Sequence, residues 1–259
     1  MPKILVISNY TNDNSSRPEA EVFLGLKKAG VDIDVMTSAK SNYVQKFKDA
    51  GINVIEYTPQ KKHDPKAIEL IRKTLVKGKH DIIQLFNTKA ITNGIKAAKD
   101  LPVKVITYRG YSTGIYWYDL SSYRHILNPR IDKIICNSTG VEQLIKRQSF
   151  FNKDKTITIN KGHKIEWYDN VKPIDLAQFG VNENTLSIVN VANNRKMKGM
   201  KYLMEAIHLL PDNVDIKFLL IGNDLDNPES LKILSKGKNR GKVEFLGYRK
   251  DALSIVKAA

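Results

Sequence analysis

The chain has 259 residues, of which 42% are hydrophobic, with a single cysteine and a formal net charge of +15. That composition excludes a disordered chain, a disulfide-stapled scaffold and a CxxC metal module, and the length suits one large or two modest domains. The basic balance favours anionic partners, but the lysines are spread along the chain without a basic tail or an aromatic–basic signature, so nucleic acid is not an expected partner.

The chain opens with Met1-Pro2 and passes at once into the apolar run Ile4–Ser8. This leaves no room for a signal peptide, and no segment is long and apolar enough to span a bilayer. The expected location is the cytoplasm, with a peripheral attraction to the anionic inner face of the membrane as a further expectation. Strands are predicted at Ile4–Ser8, Val31–Met36, Ile52–Tyr57, Asp81–Phe86, Val103–Tyr108, Lys133–Cys136 and Thr156–Asn160. Most are nearly continuous in Val, Ile and Leu, the pattern of strands covered on both faces. Helices are predicted between them: Ser16-x-x-Glu19 and Thr139-x-x-Glu142 read as capping boxes, and Asp64-Pro65 opens a helix carrying Ile68, Ile71 and Leu75. The alternation predicts an α/β fold with a parallel sheet.

Gly110–Asn128 breaks the pattern with Tyr111, Tyr116, Trp117, Tyr118, Tyr123 and His125 and no clean period. It reads as a structured loop at the carboxyl ends of strands or as a short helix packing its aromatics on the core. Cys136, inside a strand, reads as a buried thiol. The five histidines show no zinc or Ser–His–Asp spacing, and Asp224-x-Asp226 reads as a solvated turn, so no metal site is expected.

After Gly162 the periodicity stops, and residues 166–180 read as a linker between a domain at 1–165 and a second at 181–259. In the second, the strand Leu186–Val191 leads through Ala192-Asn-Asn-Arg-Lys-Met-Lys-Gly199 into a helix bearing Met200, Leu203, Met204 and Ile207. A helix opening at Gly199 points unpaired N–H groups and a positive dipole end at that loop, where Arg195 and Lys198 add charge. An ordinary strand–helix connection with solvated basic residues fits the same letters. Strands at Ile216–Ile221 and Val243–Leu246 follow, with Gly222 closing the first; a helix is expected near Glu229–Ser235, and Asp251 is expected to cap a last one. That last helix has no stop signal, and three strands would leave the sheet edge and helix faces of the second domain uncovered. The chain is therefore expected to be a fragment of a longer protein.

Ala192-Asn-x-Arg195-x-x-Lys198-Gly199, with Glu205-Ala206 in the next helix, Phe218–Gly222 and Val243–Gly247, resembles the C-terminal domain of family 4 glycosyltransferases of the GT-B fold (glycosyltransferase group 1). The resemblance implies two Rossmann-like domains, the second incomplete. It implies a retaining hexosyl-type enzyme of polysaccharide or glycolipid synthesis that moves a sugar from a nucleotide-diphosphate donor to a glycan or lipid-linked acceptor. In the family the Arg and Lys hold the donor diphosphate, which assigns Arg195, Lys198 and Gly199 to it without a metal or other cofactor. Asn9, Arg109, Gly110, Asn193 and Gly222 are candidate cleft contacts by position. The sequence departs from the family in the first β–α loop, Asn9–Arg17, which lacks glycine, and in having no histidine after the fourth or fifth strand. The family's paired-glutamate motif would lie beyond Ala259. A non-catalytic nucleotide or sugar-phosphate binding protein is the alternative.

Overall fold

A computed structural model describes residues 1–11 and 13–259, and the side chains of these except 13–15. Part of the Asn9–Arg17 loop thus lies outside the described residues. The chain divides into two units, residues 1–163 and 164–259.

In the first unit the order is β1 (Lys3–Ile7), α1 (Asp13–Lys28), β2 (Asp32–Thr37), α2 (Val44–Asp49), β3 (Asn53–Glu56), α3 (Pro65–Gly78) and β4 (Ile82–Leu85). It continues with α4 (Thr88–Ala97), β5 (Lys104–Arg109), α5 (Leu120–Tyr123), β6 (Lys133–Cys136), α6 (Thr139–Gln148) and β7 (Thr156–Thr158). The strands form one sheet in the order β3-β2-β1-β4-β5-β6-β7, parallel throughout. The side-chain period of two sorts each strand between two cores. Leu5 and Ile7 of β1, Ile83 and Leu85 of β4 and Val105 of β5 pack with Ile71 and Leu75 of α3 and Ile91 and Ile95 of α4. Val6, Ile33 and Val35 face the other way, against Phe23 of α1 and Phe47 of α2.

The helix starts are local chemistry. The Asp64 carboxylate accepts from Ala67 N–H at 3.2 Å with Pro65 in the first turn, as expected. Two predicted boxes are corrected. α1 already begins at Asp13, so Ser16 and Glu19 lie inside it. At α6 the cap is Ser138, whose Oγ accepts from Val141 N–H at 3.4 Å. The neighbouring Glu142 carboxylate instead reaches across to the β7 threonines, Thr156 and Thr158, and to Lys146. α2 had no sequence signal: its cap position is Tyr43, without a side-chain cap bond.

The second unit contains β8 (Leu186–Val191), α7 (Met200–His208), β9 (Ile216–Ile221), α8 (Pro228–Leu234), β10 (Val243–Gly247) and α9 (Ala252–Ala258). The three strands are parallel in the order β10-β9-β8. Both faces of this sheet are covered, while the apolar side chains Leu253 and Val256 of α9 remain exposed. Met200, Met204 and Ile207 of α7 and Leu234 of α8 cover one face over Phe218 and Leu220, and Ile255 of α9 covers the other over Leu219 and Ile221. The expected linker is corrected: Leu176 is buried in that second core, with Ile174 and Phe179 packed beside it. Apolar side chains at those three positions tie residues 174–179 to the second core, while most of residues 166–173 stay exposed. Asp251 occupies the cap position of α9 without capping it, because Arg249 takes its carboxylate through Nε at 2.8 Å and Nη2 at 2.6 Å.

Candidate functional site

The carboxyl ends of the three strands of the second unit are laced together. Ala192 N–H donates to Ile221 O at 2.9 Å, Asn194 N–H to Asn223 O at 3.1 Å, and Gly222 N–H to Gly247 O at 2.8 Å. Side chains complete the joint: Asn193 Oδ1 accepts from Asn223 N–H at 3.0 Å, and Asn194 Nδ2 donates to Asp224 at 3.3 Å. Gly222 is buried between these loops at φ +149°, and a Cβ there would fall 2.0 Å from the Ala192 carbonyl oxygen. Glycine is required on both counts.

This joint fixes where the following loop starts. Arg195 is extended (φ −106°, ψ 134°), Lys196–Lys198 form a single 3₁₀ turn, and Gly199 takes a left-handed φ of 70° that redirects the chain into α7. The loop is pinned by Arg195 N–H to Asn193 O and Lys198 N–H to Arg195 O, both 2.7 Å. No side chain caps α7, so its first-turn N–H groups and positive dipole end face outward. Beside them lies a hollow of about 500 Å³ lined by Arg195, Lys196, Gly199, Lys201, Tyr202 and Glu229. Lys201 reaches Glu229 at 3.7 Å. The arrangement suits an anion: exposed cations, helix N–H groups and a glycine backbone that a ligand can approach closely. Of the predicted residues, Arg195 and Gly199 line this hollow, while Asn193 and Gly222 belong to the joint from which the loop departs and do not line it. Lys198 is exposed next to them but is not among the residues lining the hollow, where Lys196 and Lys201 stand instead.

The other candidates lie in the first unit. Asn9 is exposed after β1. Arg109 is corrected: it is buried, with Nε donating to Tyr111 O at 2.8 Å and Nη2 donating to Thr113 O. Its guanidinium also sits 3.5 Å from the Tyr111 ring centroid. Burial lowers its pKa, and the side chain ties down its own loop. Gly110 serves the same loop, its carbonyl accepting from Asn137 Nδ2 at 3.0 Å. Cys136 is buried as expected, and burial pushes its thiol up to about 11.

A residue that sequence reasoning assigned to a cap has a different setting. Glu19 lines a mostly apolar hollow of about 260 Å³ between α1 and the sheet, with Phe23, Phe86, Tyr108, Ile135 and Lys161 among its neighbours. Burial raises its pKa, opposed by Ser8 and by the charge of Lys161. Nothing in the Ser16-x-x-Glu19 spacing distinguishes this from a surface cap.

A parallel α/β unit of seven strands followed by a second parallel α/β unit of three strands is the GT-B fold of two Rossmann-like units. Residues 171–259 match the family model described as glycosyl transferases group 1. Among solved structures, the whole chain aligns with Anabaena Alr3699/HepE, crystallised with UDP-glucose, at 17% identity and TM-score 0.72, spanning 72% of that chain. It aligns over 98% of its length with a glycosyltransferase from Rickettsia africae (18% identity, TM-score 0.69, 70% of that chain). It also aligns over 99% of its length with WaaG, a glycosyltransferase involved in lipopolysaccharide biosynthesis (14% identity, TM-score 0.65, 73% of that chain). A search of curated protein sequences finds no match.

Proposed function

We propose that the chain belongs to a glycosyltransferase that moves a sugar from a nucleotide-diphosphate donor to an acceptor hydroxyl. The observation that carries this reading is the exposed Arg195 at the uncapped start of α7, beside a hollow large enough for a diphosphate and part of its nucleoside. When the bond from the sugar's anomeric carbon to the diphosphate oxygen breaks, the leaving group gains negative charge. The Arg195 guanidinium, the neighbouring lysines and the N–H groups of α7 stabilise that charge more in the transition state than in the ground state. Lys198 contributes from the same turn. Such a cation set does the work without a metal ion.

The family match over residues 171–259 and the UDP-glucose held by the Anabaena protein support a UDP-sugar as donor. Our reading is a hexosyl donor, transfer with retention at the anomeric carbon, and a glycan or lipid-linked acceptor in cell-surface polysaccharide or glycolipid synthesis. The test is thermal shift and calorimetry with UDP, GDP and a short oligonucleotide, followed by release of labelled sugar. Stabilisation by one nucleotide diphosphate together with sugar release is expected. Stabilisation without release would leave a nucleotide-binding protein, and a response to the oligonucleotide alone would overturn both.

A further inference from the structure

Tyr116, Tyr118, Trp117 and Phe150 of the first unit stand outside its cores and touch in a row. Tyr116 and Tyr118 are stacked, 5.4 Å between centroids with 19° between planes. Trp117 meets Tyr118 edge-on at 5.7 Å, and Phe150 meets Trp117 edge-on at 6.1 Å. Each of these rings is 45–67% exposed. Contiguous exposure of this kind forgoes the free energy of burial and marks a contact surface.

The row is held from behind. Ile115, Ile126 and Leu127 anchor its longer segment in the core. Between those anchors, Tyr116 N–H donates to Ser122 Oγ at 3.2 Å, Trp117 N–H donates to Gln148 Oε1 at 2.9 Å, and Tyr123 Oη donates to Trp117 O at 2.9 Å. Between Trp117 and Phe150 the row opens into a hollow of about 240 Å³, whose other walls are Arg147, Gln148, Ser149 and Lys153. Those polar walls are rich in donors and poor in acceptors. Arg147 and Lys153 are exposed, and their side chains only donate. Gln148 has its Oε1 engaged by Trp117, which leaves its amide N–H groups, and Ser149 Oγ already accepts from Asn152 N–H at 2.8 Å.

We propose that this row and its hollow bind an acidic oligosaccharide, with sugar rings on the aromatic faces and acid groups on Arg147 and Lys153. One face of a pyranose is a patch of C–H groups with slight positive charge, and an aromatic face is negative, so the two stack. The sugar's edge carries oxygens, which accept from the donors around the hollow. A carboxylate on the sugar matches the planar fork of the Arg147 guanidinium and offers a charge to Lys153. The hollow takes a single sugar ring, and the row beyond it gives the next sugars a surface, so the ligand is a chain rather than a monosaccharide. A flat bilayer would make no use of a walled hollow. A second copy of this chain would set Arg147 and Lys153 against another molecule of net charge +15. The inference rests on the glycosyltransferase reading only in taking this oligosaccharide as part of the acceptor; its residues belong to the first unit and those of the donor hollow to the second.

The test titrates hexagalacturonate into the full chain by calorimetry, with maltohexaose as the neutral match and polyglutamate as the match in charge. Hexagalacturonate is expected to bind at least about tenfold more tightly than either control. Trp117→Leu keeps an apolar side chain and removes the ring. It is expected to weaken the affinity about tenfold or more, as is Arg147→Gln with Lys153→Gln, both with unchanged circular dichroism. Any of five results would overturn the proposal. Hexagalacturonate does not bind. Maltohexaose binds equally, which removes the role of the acid groups. Polyglutamate binds equally, which reduces the site to charge. Trp117→Leu keeps full affinity, which places the sugar elsewhere. Phosphatidylglycerol vesicles displace the oligosaccharide, which assigns the row to lipid. UDP stabilisation is measured on the same samples: oligosaccharide binding without it would leave this site standing and overturn the donor reading alone.

Discussion

Gly222 lies so close to Ala192 that a single added methyl would stand 2.0 Å from the Ala192 carbonyl oxygen. The clash is with backbone, which has no rotamer to give. It also falls at the joint from which the Arg195 loop departs. Gly222→Ala is therefore expected to cost at least about 2 kcal/mol of stability and to weaken UDP binding together with it. Denaturant unfolding and calorimetry on the same variant check both; an unchanged midpoint would contradict the packing described.

Arg195 lines the anion hollow and Lys198 stands outside it. Substituting them should thus give unequal effects. Arg195→Ala is expected to weaken UDP affinity about 10- to 100-fold, the scale of lost charge-assisted hydrogen bonds, and Lys198→Ala to weaken it less. Arg195→Lys should recover only part, because an ammonium does not reproduce the bidentate fork. Since both side chains are exposed, melting temperatures should barely move. Equal losses at the two positions would mean that the turn rearranges when the ligand binds.

Arg109 separates a structural from a ligand-binding role. Its Nε and Nη2 donate to Tyr111 O and Thr113 O in its own loop. Arg109→Ala leaves those two carbonyls without their partner and is expected to destabilise the chain by about 1–3 kcal/mol, with UDP affinity measured by calorimetry unchanged. A fall in affinity with no fall in stability would restore it to the list of ligand contacts.

Glu142 supplies the pH dependence. The Thr158 hydroxyl, then Lys146, hold its carboxylate below the ordinary range. A folded-state pKa below the unfolded one means that the stabilisation is present above the unfolded value and fades as pH falls through the folded value. Glu142→Gln should therefore lower the melting temperature at pH 7 by roughly 2–4 °C and make progressively less difference on acidification below the normal glutamate pKa. A difference independent of pH would show that shape, rather than charge, ties α6 to β7.

If the cations of the turn carry the charge of the leaving diphosphate, sugar release should survive excess EDTA and gain little from added divalent metal, as read in a labelled-sugar assay. Complete loss on chelation, restored by Mg²⁺ or Mn²⁺, would refute the metal-independent mechanism.

What was legible in the letters was whatever depends on short-range physics. Runs such as Lys133–Cys136 and Leu186–Val191 are strands with the bounds expected from their β-branched content, and Asp64-Pro65 starts its helix because a carboxylate three residues from an N–H needs nothing distant. The Arg195–Gly199 turn and its helix also follow from local pattern. What was not legible depended on partners far along the chain. Glu142 left its expected capping role because β7 brings Thr158 to it, and Asp251 failed to cap because Arg249 is a stronger partner for its carboxylate. Ile174, Leu176 and Phe179 of the expected linker joined a core because α9 and β9 offered apolar surface to them.

Sequence alone determined the alternation of strands and helices, the parallel sheet, and the glycine-flanked basic turn, since each follows from side-chain period, backbone preference and charge within a few residues. The tertiary structure alone decided which cations face the hollow, that Arg109 is consumed by its own loop, and that aromatics from residues 116–120 and 150–151 share one exposed patch. Those outcomes turn on competition among groups brought together only by folding, where the nearest hydrogen-bond partner or apolar surface wins whatever its distance in sequence.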